Sequence, residues 1–386
     1  MSEILNENLK EYKISRIPYI HLLGRNVSNA LKNEKPVSLF WGASGLEIKA
    51  KSSEVWALVE TDYSVNEVWA CVWINGRIIS RFMLEKGKKW ICLCRGFSEK
   101  TVNTICFMRD SQAMCDDLRQ ICLVHSFALA KNGEFLPIEK KKPMIEFVGD
   151  SITSGEGLVG SIKEEEWIST WISPSKTYAV QAANALNADF SLISQCGWGV
   201  VTGWNNNRNT IIPPYYEQVC GLCSGENQKR LGSIEKFDFS ICQNDFVFVN
   251  LGTNDSGAFN SPPWIENGVE YKMRKNLDGS YFEEDAIKIS YGVKDFLKII
   301  RKNNPKARIC WIWGMLEIPE LSKYLEKGVS MYIAESKDKK VDTMVLQSMS
   351  LEVKDEDKGS RFHPGPLTHK NAAKKIFEYC KKFHHT

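Results

Sequence analysis

Residues 144–155 read MIEFVGDSITSG. A short apolar run ends at Gly149 and is followed at once by Asp150 and Ser151, so a hydroxyl stands on the turn just past the carboxyl end of a strand. Outward from this point the chain alternates. The helical stretch SKTYAVQAANALNA (175–188) leads to FSLIS (190–194), then FVFVNLG (246–252), the helix EEDAIKISYGVKDFLKII (283–300), ICWIWG (309–314), a further helix, DTMVLQ (342–347) and a last helix PLTHKNAAKKIFEYCKKF (366–383). Five buried strands with helices between them predict an α/β fold, a doubly wound sheet of parallel strands whose catalytic groups lie on loops at the strands' carboxyl ends.

Upstream the period is different. From about residue 37 to 130 come VSLFW, LEIKA, EVWALVE, VWACVWI, RIISRFML, KKWICLC, TVNTICFM and QICLVHSFAL, short β-branched and aromatic runs that predict an all-β sandwich. Asn75-Gly76 supplies the two positive-φ positions of a tight type I′ hairpin. The polar, Lys-rich stretch KNGEFLPIEKKKP (131–143) reads as a crossing between domains, giving a sandwich over 1–135 and an α/β domain over 143–386. The segment from Thr202 to about Phe237, which contains Trp204, Pro213, Pro214, Tyr215 and Tyr216, is too long for a plain connection and suggests function.

The 386 residues are 43% hydrophobic and 25% charged with a net charge of +3, which excludes collagen-like and wholly disordered chains and gives no reason to expect nucleic acid as a partner. No apolar stretch is long enough for a bilayer, so no membrane partner is expected. The polar start MSEILNENLKEYKISR lacks the basic and apolar regions of a signal peptide, so the expectation is a cytoplasmic protein. The 12 cysteines lie mostly in apolar runs and read as reduced, buried thiols. Cys220 and Cys223 form a CxxC with no second pair of ligands and read as loop thiols rather than zinc ligands.

A serine after a strand is more often a helix cap than a nucleophile. Two further loops change the weighing. Ser194-Gln195-Cys196-Gly197-Trp198-Gly199 follows the second strand and Gly252-Thr253-Asn254-Asp255 the third, each bringing a backbone N–H or an amide to the same sheet edge, as an oxyanion hole needs. Turn chemistry alone would account for the glycines and a loop-stabilising amide for Asn254, but neither explains donors after successive strands. A serine also needs a base. Among six histidines, His384 and His385 fall in a tail, His21 and His125 in the other half, and His369 inside the last helix, which leaves His363. No catalytic-metal spacing accompanies these blocks, so neither metal nor cofactor is expected.

Gly149-Asp150-Ser151, Gly197, Gly252-Thr253-Asn254-Asp255 and His363-Pro364 resemble, in order and spacing, the four blocks of the SGNH or GDSL hydrolase superfamily. LLGRN followed by VSLFWGASGLEIKAKSSEV is similar to the domain preceding the SGNH domain in carbohydrate esterase family 2. The resemblance implies a three-layer α/β/α SGNH domain with a five-stranded parallel sheet, a jelly-roll accessory domain, and metal-independent acetyl ester hydrolysis on xylan or mannan. Ser151 would be nucleophile, His363 base and then acid, and Ser151 N–H, Gly197 N–H and the Asn254 amide the oxyanion hole. One departure stands out: the superfamily's usual Asp three residues before the histidine is here Ser360, which implies a Ser-His dyad, with Asp357 in Asp355-Glu356-Asp357 the nearest replacement acid.

Trp198, Trp264 and Trp313 are the candidate sugar platforms, against the alternative that each is core. The expected partners are acetylated xylan- or mannan-type oligosaccharides, and exposed aromatic strands in the sandwich could support a homo-oligomer. A lipase or thioesterase on the same scaffold, and a carbohydrate-binding protein with a decayed catalytic domain, are the competing readings.

Overall fold

The structure is a computed structural model that describes residues 5–349 and 355–383; His384 and His385 lie outside the described residues, as does the residue before Asp355. The chain divides into two compact units. The first runs to Lys141 and takes in Ile168–Ser175 and Gln218–Asp238; the second comprises Lys142–Trp167, Lys176–Glu217 and the chain from Phe239 onward.

The first unit is built from two antiparallel sheets. In one, Leu9–Lys13, Ile121–Ala130, Glu54–Asp62 and Gly87–Arg95 lie side by side, with Val37–Ser38 also on Ile121–Ala130. In the other the order is Glu134–Leu136, Gly45–Lys51, Val102–Arg109, Trp69–Ile74 and Arg77–Met83, with Ile20–Leu23 also on Gly45–Lys51. Burial alternates residue by residue along Glu54–Asp62, so every second side chain faces inward. Leu46, Ile48 and Phe107 from one sheet meet Val55, Val59, Val124 and Phe127 from the other in a single core. At the hairpin, Asn75 has φ 49° and Gly76 φ 76°, with Ile74 paired to Arg77.

Three features of this unit depart from the sequence reading. Glu134–Leu136, inside the stretch read as a crossing, is an edge strand on Gly45–Lys51. Ile168–Ser175 and Gln218–Asp238, assigned by sequence to the α/β half, fold with the sandwich. Buried Asp110 accepts the Ser173 hydroxyl at 2.9 Å and the Ser175 N–H at 2.8 Å. The Trp41 indole N–H donates to Val219 O at 2.6 Å, and the Gln228 amide donates to Asp117 O and Gln120 O. Each bond joins residues more than 60 positions apart, beyond the reach of any local pattern. The Cys220 and Cys223 thiols are buried here, 3.6 Å apart.

In the second unit, β1 (Met144–Gly149), β2 (Asp189–Ser194), β3 (Phe246–Asn250), β4 (Arg308–Trp313) and β5 (Val341–Val345) form one parallel sheet in the order β2-β1-β3-β4-β5. All six residues of β1 are buried, as expected of a central strand covered on both faces. Phe147 stacks on Phe248 at 5.5 Å and meets Tyr178 edge-on at 5.9 Å. Burying each such ring contributes about 1.5–3 kcal/mol. The helices are α1 (Ser151–Ser154), α2 (Tyr178–Ala185), α3 (Thr253–Ala258), α4 (Glu283–Asn303), α5 (Pro319–Ser336) and α6 (Pro366–Phe383). Helix α4 buries Ala286, Ile289, Val293, Phe296, Leu297 and Ile300, a stripe at helical spacing, and carries three acids in its first turn and Arg301 and Lys302 in its last, matching the macrodipole. No helix among the described residues is long and apolar enough to cross a membrane.

Register positions the site. Gly149 at the end of β1 pairs with Ser194 of β2 and with Asn250 of β3. The three loops that follow therefore leave the sheet at one level, and their first residues become neighbours.

Candidate active site

The turn after β1 is held by its own backbone. The Asp150 side chain caps α1 by accepting the Ile152 N–H at 3.0 Å, Gly155 closes the helix at φ 81°, and Glu156 N–H returns to Ser151 O at 3.0 Å. Ser151 is thereby fixed at the start of a single helical turn, with its backbone N–H unbonded among the described residues.

His363 arrives on the loop before α6. Its Nε2 lies 2.8 Å from Ser151 Oγ, and its Nδ1 lies 2.9 Å from Arg361 O. A carbonyl only accepts, so Nδ1 carries the proton and Nε2 accepts from the serine hydroxyl. Ser360 is fully buried and its hydroxyl has no partner among the described residues, so it does not act on the imidazole. Among the described residues, the bonds from Asp357 to this loop go through its backbone oxygen, which accepts Gly365 N–H and the Thr368 hydroxyl. The two turns fit because Gly157, at φ 81°, has no side chain: a Cβ there would fall 2.6 Å from Ser360 O and 3.0 Å from His363 Cβ.

Gly197, on the loop that leaves β2 at the same sheet edge, has φ 80°, and its N–H is also unbonded among the described residues. The loop it begins is anchored by buried Asp255, whose carboxylate accepts Val200, Val201 and Thr202 N–H at 2.8–3.2 Å. Asn254 donates its amide to Trp198 O at 2.9 Å and, over a longer 3.3 Å, to Asp150 Oδ2. The structure thus brings Ser151, His363, Gly197 and Asn254 to one sheet edge.

The tryptophans separate differently. Trp198 is buried with its ring against Tyr215, and Trp313 is buried at the end of β4, so for these two the core alternative of the sequence reading describes what is seen and neither ring presents a face to solvent. Trp264 is half-buried in a two-stranded ribbon, Trp264–Glu266 with Val269–Tyr271. An open ring beside the site belongs to Trp204, 54% exposed, whose indole lies 3.1 Å from where a Gly197 Cβ would stand. Its place in an over-long, aromatic loop was the signal that could have singled it out. Buried Glu156, 3.6 Å from His363 Nε2, was also missed, and no motif marks it.

Two buried groups near the site set opposing pH dependences. Burial holds the His369 imidazole, with His363 nearby, at about 3, below its ordinary 6.5; its Nδ1 accepts Tyr178 N–H at 3.0 Å. Burial, together with Asp255 and Glu156 and against the Ile152 N–H, pushes Asp150 up to about 7 from 3.8. The depressed histidine contributes stability above pH 6.5 that is lost on acidification toward 3, whereas the raised carboxyl contributes stability below pH 3.8 that is lost as pH rises through 7. His369→Asn keeps an acceptor and removes the histidine's contribution, so its urea midpoint should fall further below the native protein's as pH rises from about 4 to 6.5. Identical pH profiles for both proteins would remove His369 from this balance.

No three His, Cys, Asp or Glu side chains among the described residues converge as a metal-holding group. What the site offers is a serine hydroxyl bonded to an imidazole and flanked by free N–H groups at the carboxyl edge of a parallel sheet, the arrangement of a serine hydrolase. No family model matches the chain. Its structure is similar to that of Est2A, an acetyl xylan esterase from the rumen bacterium Butyrivibrio proteoclasticus, at 40% identity and a TM-score of 0.92 over 97% of this chain and 98% of that one. It is also similar to a family two carbohydrate esterase from Clostridium thermocellum, solved in complex with cellohexaose, at 20% identity and a TM-score of 0.75 over 94% and 98% of the two chains. In sequence it is 24% identical over 285 residues to the cellulase/esterase CelE of Acetivibrio thermocellus, 72% of this chain and 29% of that protein. The chain spans 29% to 42% of the length of the curated relatives it matches. The chain belongs to family 2 of the carbohydrate esterases.

Proposed function

We propose that the protein is a serine esterase that removes O-acetyl groups from plant cell-wall xylan or mannan, or from oligosaccharides released from them, through an acetyl-enzyme on Ser151. The observation that carries this reading is the 2.8 Å contact between Ser151 Oγ and His363 Nε2, with Nδ1 held by Arg361 O. The names of the similar proteins, acetyl xylan esterase and glucomannan deacetylase, supply the acyl group and the sugar class. The first unit is read as the jelly-roll accessory domain of this family.

In the first half-reaction Ser151 Oγ attacks the acetyl carbonyl carbon while its proton passes to His363 Nε2. The carbonyl oxygen becomes an oxyanion that receives the N–H groups of Ser151 and Gly197 and the Asn254 amide. Trp198 O orients that amide, and the stretched bond to Asp150 leaves its second hydrogen easily redirected. Collapse expels the sugar oxygen, which takes the proton from Nε2. Water then gives one proton to Nε2 and its hydroxyl to the acetyl carbon; as the bond to Oγ breaks, Nε2 returns that proton to Ser151 Oγ, and acetic acid leaves and ionises in solvent. Asn254→Ala should lower kcat by roughly 10²–10³-fold with little change in KM, because the donor acts on charge that develops in the transition state. An unchanged kcat would assign the amide to loop structure alone.

Trp204 provides the face on which a sugar ring can stack. Trp204→Ala should raise KM for an acetylated xylo- or manno-oligosaccharide by about tenfold and leave KM for 4-nitrophenyl acetate within about twofold. Equal effects on both substrates would make the ring a packing element. The function itself is tested with nitrophenyl esters of increasing chain length alongside acetylated oligosaccharides. Preference for acetate supports the proposal; preference for long acyl chains would move the assignment to a lipase or thioesterase.

A further inference from the structure

Arg361 and Phe362, the two residues before His363, both lie in the left-handed region at φ 55° and 59°. Residues with a Cβ seldom adopt it, and two in succession need an external restraint. The strained pair matters because the Arg361 carbonyl is the acceptor of His363 Nδ1–H, in the place a carboxylate holds in a triad. Phe362 supplies no restraint: its side chain is 83% exposed.

Arg361 supplies it from both ends. Its N–H donates to Glu164 O at 3.2 Å, its Nε donates to Glu156 Oε1 at 2.9 Å, and its terminal nitrogen donates to Glu165 O. Glu156 is a firm anchor, 3% exposed and set on the turn that follows Ser151, since its own N–H is bonded to Ser151 O. The serine turn and the histidine loop are thus joined by one ion pair. Its other oxygen, Oε2, lies 3.6 Å from His363 Nε2.

We propose that the Arg361–Glu156 ion pair is a positioning clasp that holds the Arg361 carbonyl on His363 Nδ1, and so fixes the tautomer in which Nε2 accepts the Ser151 proton. The clasp rests on the reading of Ser151 and His363 as nucleophile and base. Arg361 and Glu156 are positioning residues: they act through the histidine.

The test combines kinetics with a readout independent of turnover. Arg361→Ala should lower kcat on 4-nitrophenyl acetate by roughly 10–100-fold with KM within about threefold. Arg361→Lys, whose single ammonium can reach Glu156 or Glu165 O but not both, should recover part of the rate. Added guanidinium chloride at millimolar concentration should raise the rate of Arg361→Ala and not that of the native enzyme. Glu156→Gln combined with Arg361→Ala should cost no more than the worse single change, as expected for two members of one unit. By ¹⁵N NMR, His363 should be a single Nδ1–H tautomer in the native protein and a mixture in Arg361→Ala. A native kcat in folded Arg361→Ala, or an unaltered tautomer in that variant, would overturn the clasp. Should the native protein hydrolyse no ester, the esterase reading fails by itself, and the tautomer comparison still decides the clasp.

Discussion

Ser151→Ala is expected to abolish ester hydrolysis while leaving the fold intact. Under the proposed mechanism the Ser151 hydroxyl, bonded to His363 Nε2, forms the acetyl-enzyme, and the Cys196 thiol does not substitute for it, since burial and neighbouring Glu156 push its pKa well up and keep it protonated. Loss of a nucleophile of this kind removes roughly 10⁴–10⁶-fold in kcat, and what remains is the modest acceleration of oxyanion donors acting on water. Stability should barely change. The Ser151 side chain contacts His363 through one hydrogen bond, and the backbone bonds that build its turn, from Glu156 N–H and through the Asp150 cap, do not involve the hydroxyl. Steady-state kinetics on 4-nitrophenyl acetate, with thermal unfolding to verify the fold, measures both parts. A folded variant that retains activity near the native rate would end the assignment of Ser151 as nucleophile.

Periodicity carried the fold where structure is local. Helix α6 begins at Pro366, tolerated at a helix's first position, and buries Thr368, His369, Ala372, Ala373, Ile376 and Cys380 at helical spacing, so both ends are readable from sequence. Strands β1 to β4 are near-continuous buried runs, legible for the same reason, whereas the edge strand β5, VDTMV, buries only Val341 and Met344. Leu9–Lys13, by contrast, is a polar edge strand, LKEYK, with one buried residue, and nothing in that run marks it as paired with Ile121–Ala130. The segments around Ser173 and Gln228 are held to the first unit by bonds to Asp110, Asp117 and Gln120, and a long-range hydrogen bond leaves no trace in hydropathy.

The site divides along the same line. Ser151, Gly197 and Asn254 were legible because each follows a strand, and strand ends that are in register must share an edge. Glu156 and the carbonyl of Arg361 were not: one is a single acid without a motif, and the other is a backbone atom that any residue would supply. Their importance comes from conformation, a left-handed pair at Arg361 and Phe362, which residues with a Cβ rarely announce.

His363→Ala should cost nearly as much as Ser151→Ala, and the size of the loss at the neighbouring acids separates a dyad from a triad. The imidazole must take the serine proton at Nε2 and hold the charge until the leaving group accepts it, and no other base approaches Ser151 Oγ among the described residues. In a triad the Nδ1 partner is a buried carboxylate, and removing it lowers kcat by roughly 10⁴-fold. Here that partner is Arg361 O at 2.9 Å, a neutral acceptor no side-chain substitution can delete. Asp357 engages the loop through its carbonyl, and Asp355 and Glu356 are exposed on the same short turn. Asp355→Ala, Glu356→Ala and Asp357→Ala should therefore each retain kcat within about tenfold, while His363→Ala falls to the level of the serine variant. A thousand-fold loss in any of the three acid variants, with thermal unfolding unchanged, would reveal a carboxylate acting on the imidazole and replace the dyad with a displaced triad.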